Sequence, residues 1–436
     1  MIEKEVVSLA LKNAGIETLN EMQEAVIAAG TSKDMLLLSP TGSGKTLAFL
    51  LPLLTTLSRD IDTIQALIIA PSRELALQIE TVFRSLGAGY KINCCYGGHP
   101  IRTEKKSLEH APAVLIGTPG RILDHLERGN IDLDNVKTLI LDEFDKILEL
   151  GFTTEMKEIL AHLPSVRRRV LTSATSAISI PEFVRIQSPV KLSFLTEEKK
   201  NKGLSIHIVK SPVPDKLDTL YALLGELKGG SALVFCNLRE AVERVSNYLT
   251  EKNVDNESFH GGMEQLDRER TLAKFRNGST TVLISTDLAA RGLDIPEVKN
   301  VIHYHPPINE ESFIHRNGRT ARMHAEGDAY LILNDKEFIP EYISPVPDEF
   351  FLPEKVKTPI PSDWVTLTIN RGKRDKLSKK DVVGFLFQKG GLAKDELGIV
   401  EVKESYSFAA VKRSKRSALL KKIQEEKIKN MKAKFS

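Results

Sequence analysis

The sequence predicts an α/β protein with two tandem domains on parallel sheets and a small α+β domain near its C-terminal end. Three observations predict it. Short β-branched runs alternate with helical patterns as far as about residue 339, as expected for βαβ units around buried parallel strands. The polar, aperiodic stretch 196–203 interrupts the alternation once, and a proline-rich stretch ends it. Beyond the prolines the runs follow the order β-α-β-β-α-β, a split βαβ unit. A chain of 436 residues has room for about three domains of roughly 150 residues each.

In the first domain, residues 1–200, strands are expected at 35–38, 65–70, 113–117, 138–141 and 169–172. In the second, residues 201–340, they are expected at 232–235, 281–285, 298–304 and 329–333. The two halves are alike in class but not visibly in sequence. Pro340, Pro345, Pro347, Pro353, Pro359 and Pro361 make residues 341–361 an extended, semi-rigid linker. In residues 362–436, strands are expected at 364–370, 398–402, 406–411 and 431–435, with helices at 379–388 and 414–429.

Composition excludes several classes. No run of about 18 apolar residues is present, so no membrane span is expected. The first residues lack a basic segment followed by an apolar one, which points to a cytoplasmic protein. Three cysteines, Cys94, Cys95 and Cys236, fit neither a disulfide framework nor a zinc spacing and read as small core residues. Net charge is only +3, but it is unevenly spread. Residues 362–436 hold 19 Lys and Arg against 9 Asp and Glu; the remainder holds 42 against 49. A basic terminal unit on a mildly acidic body suggests a polyanionic partner, with a solvated Lys-rich face as the alternative.

The chemistry is concentrated in three motifs. Ser39 to Thr46 lies between an apolar strand and a helix and ends in Gly44-Lys45-Thr46. Glycines at a helix N-terminus let backbone N–H groups face phosphate oxygens, Lys45 reaches the β- and γ-phosphates, and Thr46 suits Mg²⁺. About a hundred residues later, Asp142 and Glu143 follow the apolar run 139–141. An Asp at a strand end suits the ion, and the adjacent Glu suits an attacking water. An acidic pair opening a helix is the structural alternative. Finally, His315, Arg316, Arg319 and Arg322 cluster within eight residues. They read as a solvated helix face or, with a phosphate loop elsewhere, as arginine fingers, which are worth about 10³–10⁵ in rate.

Taken in order, these motifs resemble those of DEAD-box RNA helicases over roughly residues 1–340, which implies two RecA-like domains. Besides Ser39 to Thr46, the resemblance rests on Gln23, Pro71 to Ala76, Gly97-Gly98, Thr118 to Arg121, and Asp142 to Asp145. It continues through Ser173 to Thr175, Phe235, Gln265 with Arg268, Ser285 to Asp287, Ala290 to Asp294, and His315 to Arg322. It implies that Gln23, Thr41, Gly42, Ser43, Gly44, Lys45, Thr46 and Asp294 bind ATP, with Thr46 and Asp142 on Mg²⁺. It implies that Lys45, Asp142, Glu143, Arg319 and Arg322 carry hydrolysis, and that Ser173, Thr175 and His315 couple it to RNA. Arg73, Gly98, Thr118, Gly120, Arg121, Arg268 and Thr286 would then grip the RNA backbone. Four departures stand out: Phe144 replaces the box's alanine, Val6 an aromatic, Leu19 and Asn20 a Pro-Thr pair, and Ala321 a glycine.

Residues 362–436 are similar, less specifically, to the RRM-like RNA-binding domain of DbpA-type bacterial helicases. That resemblance implies 23S ribosomal RNA as target during large-subunit assembly. Tyr406 and Phe408 share a sheet face, either as a base-stacking platform or with Phe408 in the core. Arg371 and Arg374, and the run 412–416, suit phosphate contact. The expected protein is a monomeric RNA-dependent ATPase and helicase using ATP and Mg²⁺, with ribosomal RNA and pre-ribosomal particles as partners and no membrane. An ATP-dependent RNA clamp without a specific target, and a DNA translocase, remain as alternatives.

Overall fold

A computed structural model describes residues 2–40, 42–175, 180–195, 203–290, 298–320 and 326–436. The expected linker at 196–203 lies outside them except for Gly203. The chain forms two compact units, meeting in sequence at Lys199 and Lys200. Among the described residues no helix is long and apolar enough to cross a membrane. All three cysteines are free, and Cys95 and Cys236 are buried.

The first unit is built on β1 (Met35–Leu38), β2 (Ala66–Ile69), β3 (Ile92–Cys95), β4 (Val114–Gly117), β5 (Thr138–Leu141), β6 (Arg168–Ser173) and β7 (Val190–Ser193). They pair in the order β3-β4-β2-β5-β6-β1-β7, and every pair is parallel. Strands β2, β4 and β5 are buried throughout, the consequence of continuous apolar runs covered by helices on both faces. Two core clusters, one on each side of the sheet, hold these helices in place. The helix Lys45–Thr56 is so apolar that Leu47 through Leu54 are all buried. This architecture brings the loops that follow β1, β2, β3, β4, β5 and β6 to the carboxyl edge of one parallel sheet, where α/β proteins bind ligands.

The second unit repeats the plan. Its strands are β8 (Leu204–Ser211), β9 (Ala232–Cys236), β10 (Asn256–Phe259), β11 (Val282–Thr286), β12 (Asn300–His303), β13 (Gly327–Asn334) and β14 (Asp348–Glu349). They pair in the order β10-β11-β9-β12-β13-β8-β14, again all parallel. Each strand holds the position of its counterpart seven places earlier, so the halves share a topology that their sequences do not display. The stretch expected as a linker runs along this sheet: β14 pairs with β8, and Phe350 and Leu352 pack against the core. The carbonyl of Lys357 comes so close to Gly225 that a Cβ there would meet it at 2.0 Å.

The C-terminal domain has a three-stranded antiparallel sheet of β15 (Trp364–Ile369), β16 (Leu397–Val402) and β17 (Ser407–Lys412), with β17 central. The helices Lys379–Gln388 and Arg416–Ile423 cover one face, over Leu367, Ile369, Val400, Ala409 and Val411. The helix expected to reach residue 429 stops at Ile423, and β18 (Lys427–Ile428) then pairs with β19 (Met431–Lys432). Phe435 bridges Ile369 instead, as a one-residue fourth edge of the sheet.

The other face of this sheet lies against the second RecA-like domain. Thr368, Phe408 and Glu401 are cross-strand neighbours, and Thr366, two residues before Thr368 and opposite Ala410, shares their face. Asn277 Nδ2 donates to Thr366 Oγ1 at 2.9 Å, which in turn donates to Ser279 Oγ at 2.9 Å. Arg276 pairs with Glu401 at 3.4 Å, and Arg413 pairs with Asp255. Phe408 is only 1% exposed. The sheet face that would stack bases in a common RRM is therefore covered, and of the two readings of the Tyr406–Phe408 pair the buried one holds for Phe408; Tyr406 itself precedes β17.

Candidate functional site

The phosphate loop joins β1 to the helix Lys45–Thr56, with Gly42 and Gly44 at φ +80 and +89, left-handed conformations that only glycine adopts without strain. Ser39, at the position of the usual first glycine, closes the loop by bonding Ser43 Oγ at 2.6 Å. Asn20 and Gln23 form a capping box on the helix Glu21–Ala28. Both also clip the loop: Asn20 Nδ2 donates to Ser43 O at 2.9 Å and Gln23 Nε2 to Gly44 O at 3.3 Å. Asn20, a departure from the family pattern, thus holds the loop that it precedes. Val6 packs at the edge of the same core. Lys45 is buried, its ammonium donating to Ser39 O at 2.6 Å and Pro40 O at 2.9 Å. Burial pushes Lys45 below its ordinary value, opposed by the charges of Glu143, Asp142 and Asp145.

The acidic pair ends β5. Asp142 is 2% exposed, and burial raises its carboxyl above the usual range against the Thr172 hydroxyl and the Lys45 charge. Thr172 lies on β6, between β5 and the phosphate-loop strand β1. Its hydroxyl donates to Asp142 Oδ1 and accepts from the Glu143 N–H at 3.0 Å. Glu143 has φ 49 and ψ 53, a left-handed conformation that is costly for a residue with a side chain. Phe144, the bulky departure in the box, is fully buried in the core with Leu141 and Ile147. Ser173 Oγ donates to Thr175 O at 3.0 Å and accepts the Thr175 N–H at 2.9 Å, so that pair forms a compact turn after β6. Sequence reasoning missed Thr172; its only signal is a hydroxyl on the strand just ahead of Ser173.

Three further loops converge on the same edge of the first sheet. Arg73 opens the helix Arg73–Ser85, and its guanidinium lies against Gly98, where a Cβ would fall 2.2 Å from Nη1. Gly98 has φ +99. Thr118 precedes the helix Pro119–Glu127, whose Gly120 is exposed with nothing near its missing Cβ. Arg121 donates to His99 O at 2.8 Å. Exposed backbone N–H groups at a helix start suit an anion.

In the second unit, Arg268 is buried, stacks 4.4 Å from the Phe259 ring and donates to His260 O, so much of its guanidinium is used within the domain. Thr286 ends β11. Arg316 is not part of a solvated face: it is 1% exposed, forms two 2.6 Å contacts with Asp287 and donates to His305 O and Asn237 Oδ1. Arg319 is also buried, at 4%. His315 sits on the helix Glu310–Asn317, 3.9 Å from Glu311. Thr41, Asp294 and Arg322 lie outside the described residues. In the C-terminal domain Arg374 is exposed and Arg371 half-buried, 3.7 Å from Asp375.

A glycine-rich loop at a helix N-terminus, a buried lysine and a strand-end Asp-Glu pair define a phosphate-loop nucleoside triphosphatase, here of the two-sheet motor class. Residues 20–183 match the DEAD/DEAH box helicase family, 215–324 the helicase conserved C-terminal domain and 366–436 the DbpA RNA binding domain. ATP-dependent RNA helicase DbpA of Escherichia coli is 32% identical, over 96% of this chain and 94% of its own length. The protein of the same name from Bacillus subtilis is 29% identical, over 98% and 96%. Among solved structures, S. cerevisiae Dbp5 bound to RNA and ADP BeF3 is similar with a TM-score of 0.66 and 27% identity, over 76% of this chain and 88% of that one. Mss116p bound to ssRNA and AMP-PNP shares the fold, with a TM-score of 0.69 and 23% identity, over 80% and 77%. The chain belongs to the DbpA-type DEAD-box ATP-dependent RNA helicases, RNA-dependent ATPases with two RecA-like domains and an RNA-binding domain.

Proposed function

We propose that this helicase locally unwinds structured 23S ribosomal RNA during assembly of the large ribosomal subunit, acting as a cytoplasmic monomer on pre-ribosomal particles. One observation carries the reading: a DEAD/DEAH box helicase domain with its phosphate loop and acidic pair and a strongly basic RNA-binding domain of the DbpA type lie on the same chain. The domain tethers the core beside its target and raises the local concentration of RNA for the helicase domains.

In this reading Thr41 to Thr46 cradle the phosphates, Gln23 reads the adenine and Asp294 holds the ribose. Glu143 takes the proton of the attacking water, and Arg319 and Arg322 neutralise charge developing on the transferred phosphoryl group. The donors at Thr46 and Asp142 are hard oxygens of the kind Mg²⁺ prefers, and both oxygens of nearby Asp145 are buried without a hydrogen-bond partner among the described residues. Bound there, Mg²⁺ would offset phosphate charge. Ser173, Thr175 and His315 would pass the state of the nucleotide to the RNA grip. Arg73, Gly98, Thr118, Gly120, Arg121, Arg268 and Thr286 would hold the RNA backbone, and Arg371, Arg374 and Tyr406 the tethering RNA.

The test is ATP hydrolysis with ribosomal RNA and with an unrelated RNA, for the full chain and for a form ending at Pro361. Preference for ribosomal RNA in the full chain alone supports the reading. Equal response of both forms to any RNA leaves a general RNA-stimulated ATPase or clamp, and an equal response to DNA of the same sequence leaves a translocase.

A further inference from the structure

One buried cluster of titratable groups in the first domain takes no part in hydrolysis. Glu104, on the helix Ile101–Leu108, is 4% exposed. Its Oε1 accepts the Tyr96 N–H at 2.9 Å and lies 2.9 Å from His99 Nε2. Its Oε2 lies 2.7 Å from His125 Nε2 and 3.5 Å from Arg121 Nη1. Burial alone would raise this carboxyl; the bonds from His125, His99 and Tyr96 and the Arg121 charge outweigh it and hold the group at about 2. An ionised carboxylate only accepts, so both imidazoles donate through Nε2. Asn130 Nδ2 lies 3.2 Å from His125 Nδ1, where a neutral imidazole accepts.

The geometry joins two segments distant in sequence. On one side Glu104 closes the loop from Tyr96 to His99, whose rings also meet edge to face at 4.6 Å. On the other it holds Arg121 and His125 of the helix Pro119–Glu127, and Arg121 returns a bond to His99 O. Gly98 lies between, pressed against Arg73. Cys95 Sγ is within 4.8 Å of the same carboxylate and imidazole, which suggests a metal site. The chemistry opposes one: burial drives the thiol far above its ordinary value, and Glu104 already has four donors.

We propose that Glu104 is the positioning residue of the first-domain RNA grip, one buried carboxylate that sets the Gly98 loop and the Arg121 helix start in register for a single RNA backbone. The proposal rests on reading Gly98, Thr118, Gly120 and Arg121 as RNA contacts. Glu104 lies apart from the ATP site, so its loss weakens capture of RNA and leaves turnover at saturating RNA in place.

The experiment measures poly(U)-stimulated ATP hydrolysis by the full chain as Glu104→Gln, His99→Ala and Arg121→Ala variants. His99→Ala removes only the loop-side contact and keeps the core, so it serves if Glu104→Gln folds poorly. The RNA concentration for half-maximal stimulation is expected to rise about tenfold in Glu104→Gln and about threefold in His99→Ala, with kcat within about twofold, as loss of charge-assisted bonds implies. If Arg121→Ala raises that concentration and neither other variant does, the positioning role is refuted and the RNA reading stands. If Arg121→Ala also has no effect, the RNA reading falls and the proposal with it. If His99→Ala lowers kcat without moving the half-maximal concentration, the cluster is structural and the proposal is refuted.

Discussion

The Thr172 hydroxyl and the Asp142 carboxylate form a buried bond in which Thr172 also accepts the N–H of Glu143. One side chain on β6 therefore holds the carboxylate of the first acid of the box and the backbone of the second. It also helps hold Glu143 in its left-handed backbone, a conformation costing roughly 1–3 kcal/mol at a non-glycine residue. Because the next residue, Ser173, begins the turn with Thr175, the strand that supports the acids leads directly into the segment expected to sense RNA.

Thr172→Val keeps the branched shape and removes both bonds. Bonds to charged groups are worth about 1.5–3 kcal/mol, so RNA-stimulated kcat should fall roughly 10- to 100-fold, and the melting midpoint should also drop because the buried Asp142 carboxylate and Glu143 N–H lose their partner. Steady-state ATPase assays read this directly, and a variant with full turnover would remove Thr172 from the account of the site.

Glu143→Gln tests the role of the second acid. Turnover should fall about 10²–10⁴-fold, the usual contribution of a general base, while ATP-dependent RNA binding persists. Parallel measurements of phosphate release and RNA binding separate the two effects. Undiminished turnover would assign the water to another residue.

Thr366 is the centre of the seam between the C-terminal sheet and the second RecA-like domain, bonding Asn277 and Ser279. Thr366→Val leaves those partners unsatisfied and should weaken docking by about 1–3 kcal/mol. The expected readout is faster proteolysis within residues 353–362, where the chain passes between the two. An unchanged cleavage rate would mean that the pairs Arg276–Glu401 and Arg413–Asp255 suffice.

The strands legible in the sequence are the central ones. The run Leu139-Ile140-Leu141, short, apolar and closed by an acidic pair, reads as a buried strand, and β1, β2, β4, β9, β11 and β13 are similarly apolar. The strands that were missed are mostly edges: β10 reads Asn-Glu-Ser-Phe, and β14 is two acidic residues among prolines. Their pairing comes from the neighbouring strand, not from their own pattern. The site divides in the same way. Lys45, Asp142 and Glu143 stand in local motifs whose spacing reports their chemistry. Thr172, Glu104 and the covered face of β17 depend on contacts between separate segments, 30 residues apart for Thr172 and Asp142 and 21 for His125 and Glu104. Arg316 shows the converse: its motif suggests an exposed cation, and only the fold reveals the ion pair with Asp287.

Glu104 should leave a signature in acid. Its carboxyl is held at about 2 in the folded chain against an ordinary value of 4.5. A depressed folded value contributes stability above the unfolded value and loses it as pH falls toward the folded one. The shift corresponds to about 3 kcal/mol at neutral pH, given 1.36 kcal/mol per pKa unit. The natural chain and Glu104→Gln should therefore differ by a constant margin in first-domain unfolding free energy above about pH 5, and the margin should shrink steadily between 4.5 and 2. Urea unfolding followed across that range gives the two curves. A margin that does not change with pH would mean that the Glu104 carboxyl keeps its ordinary value in the folded chain, and one that falls as pH rises above 4.5 would mean that the folded chain holds it protonated.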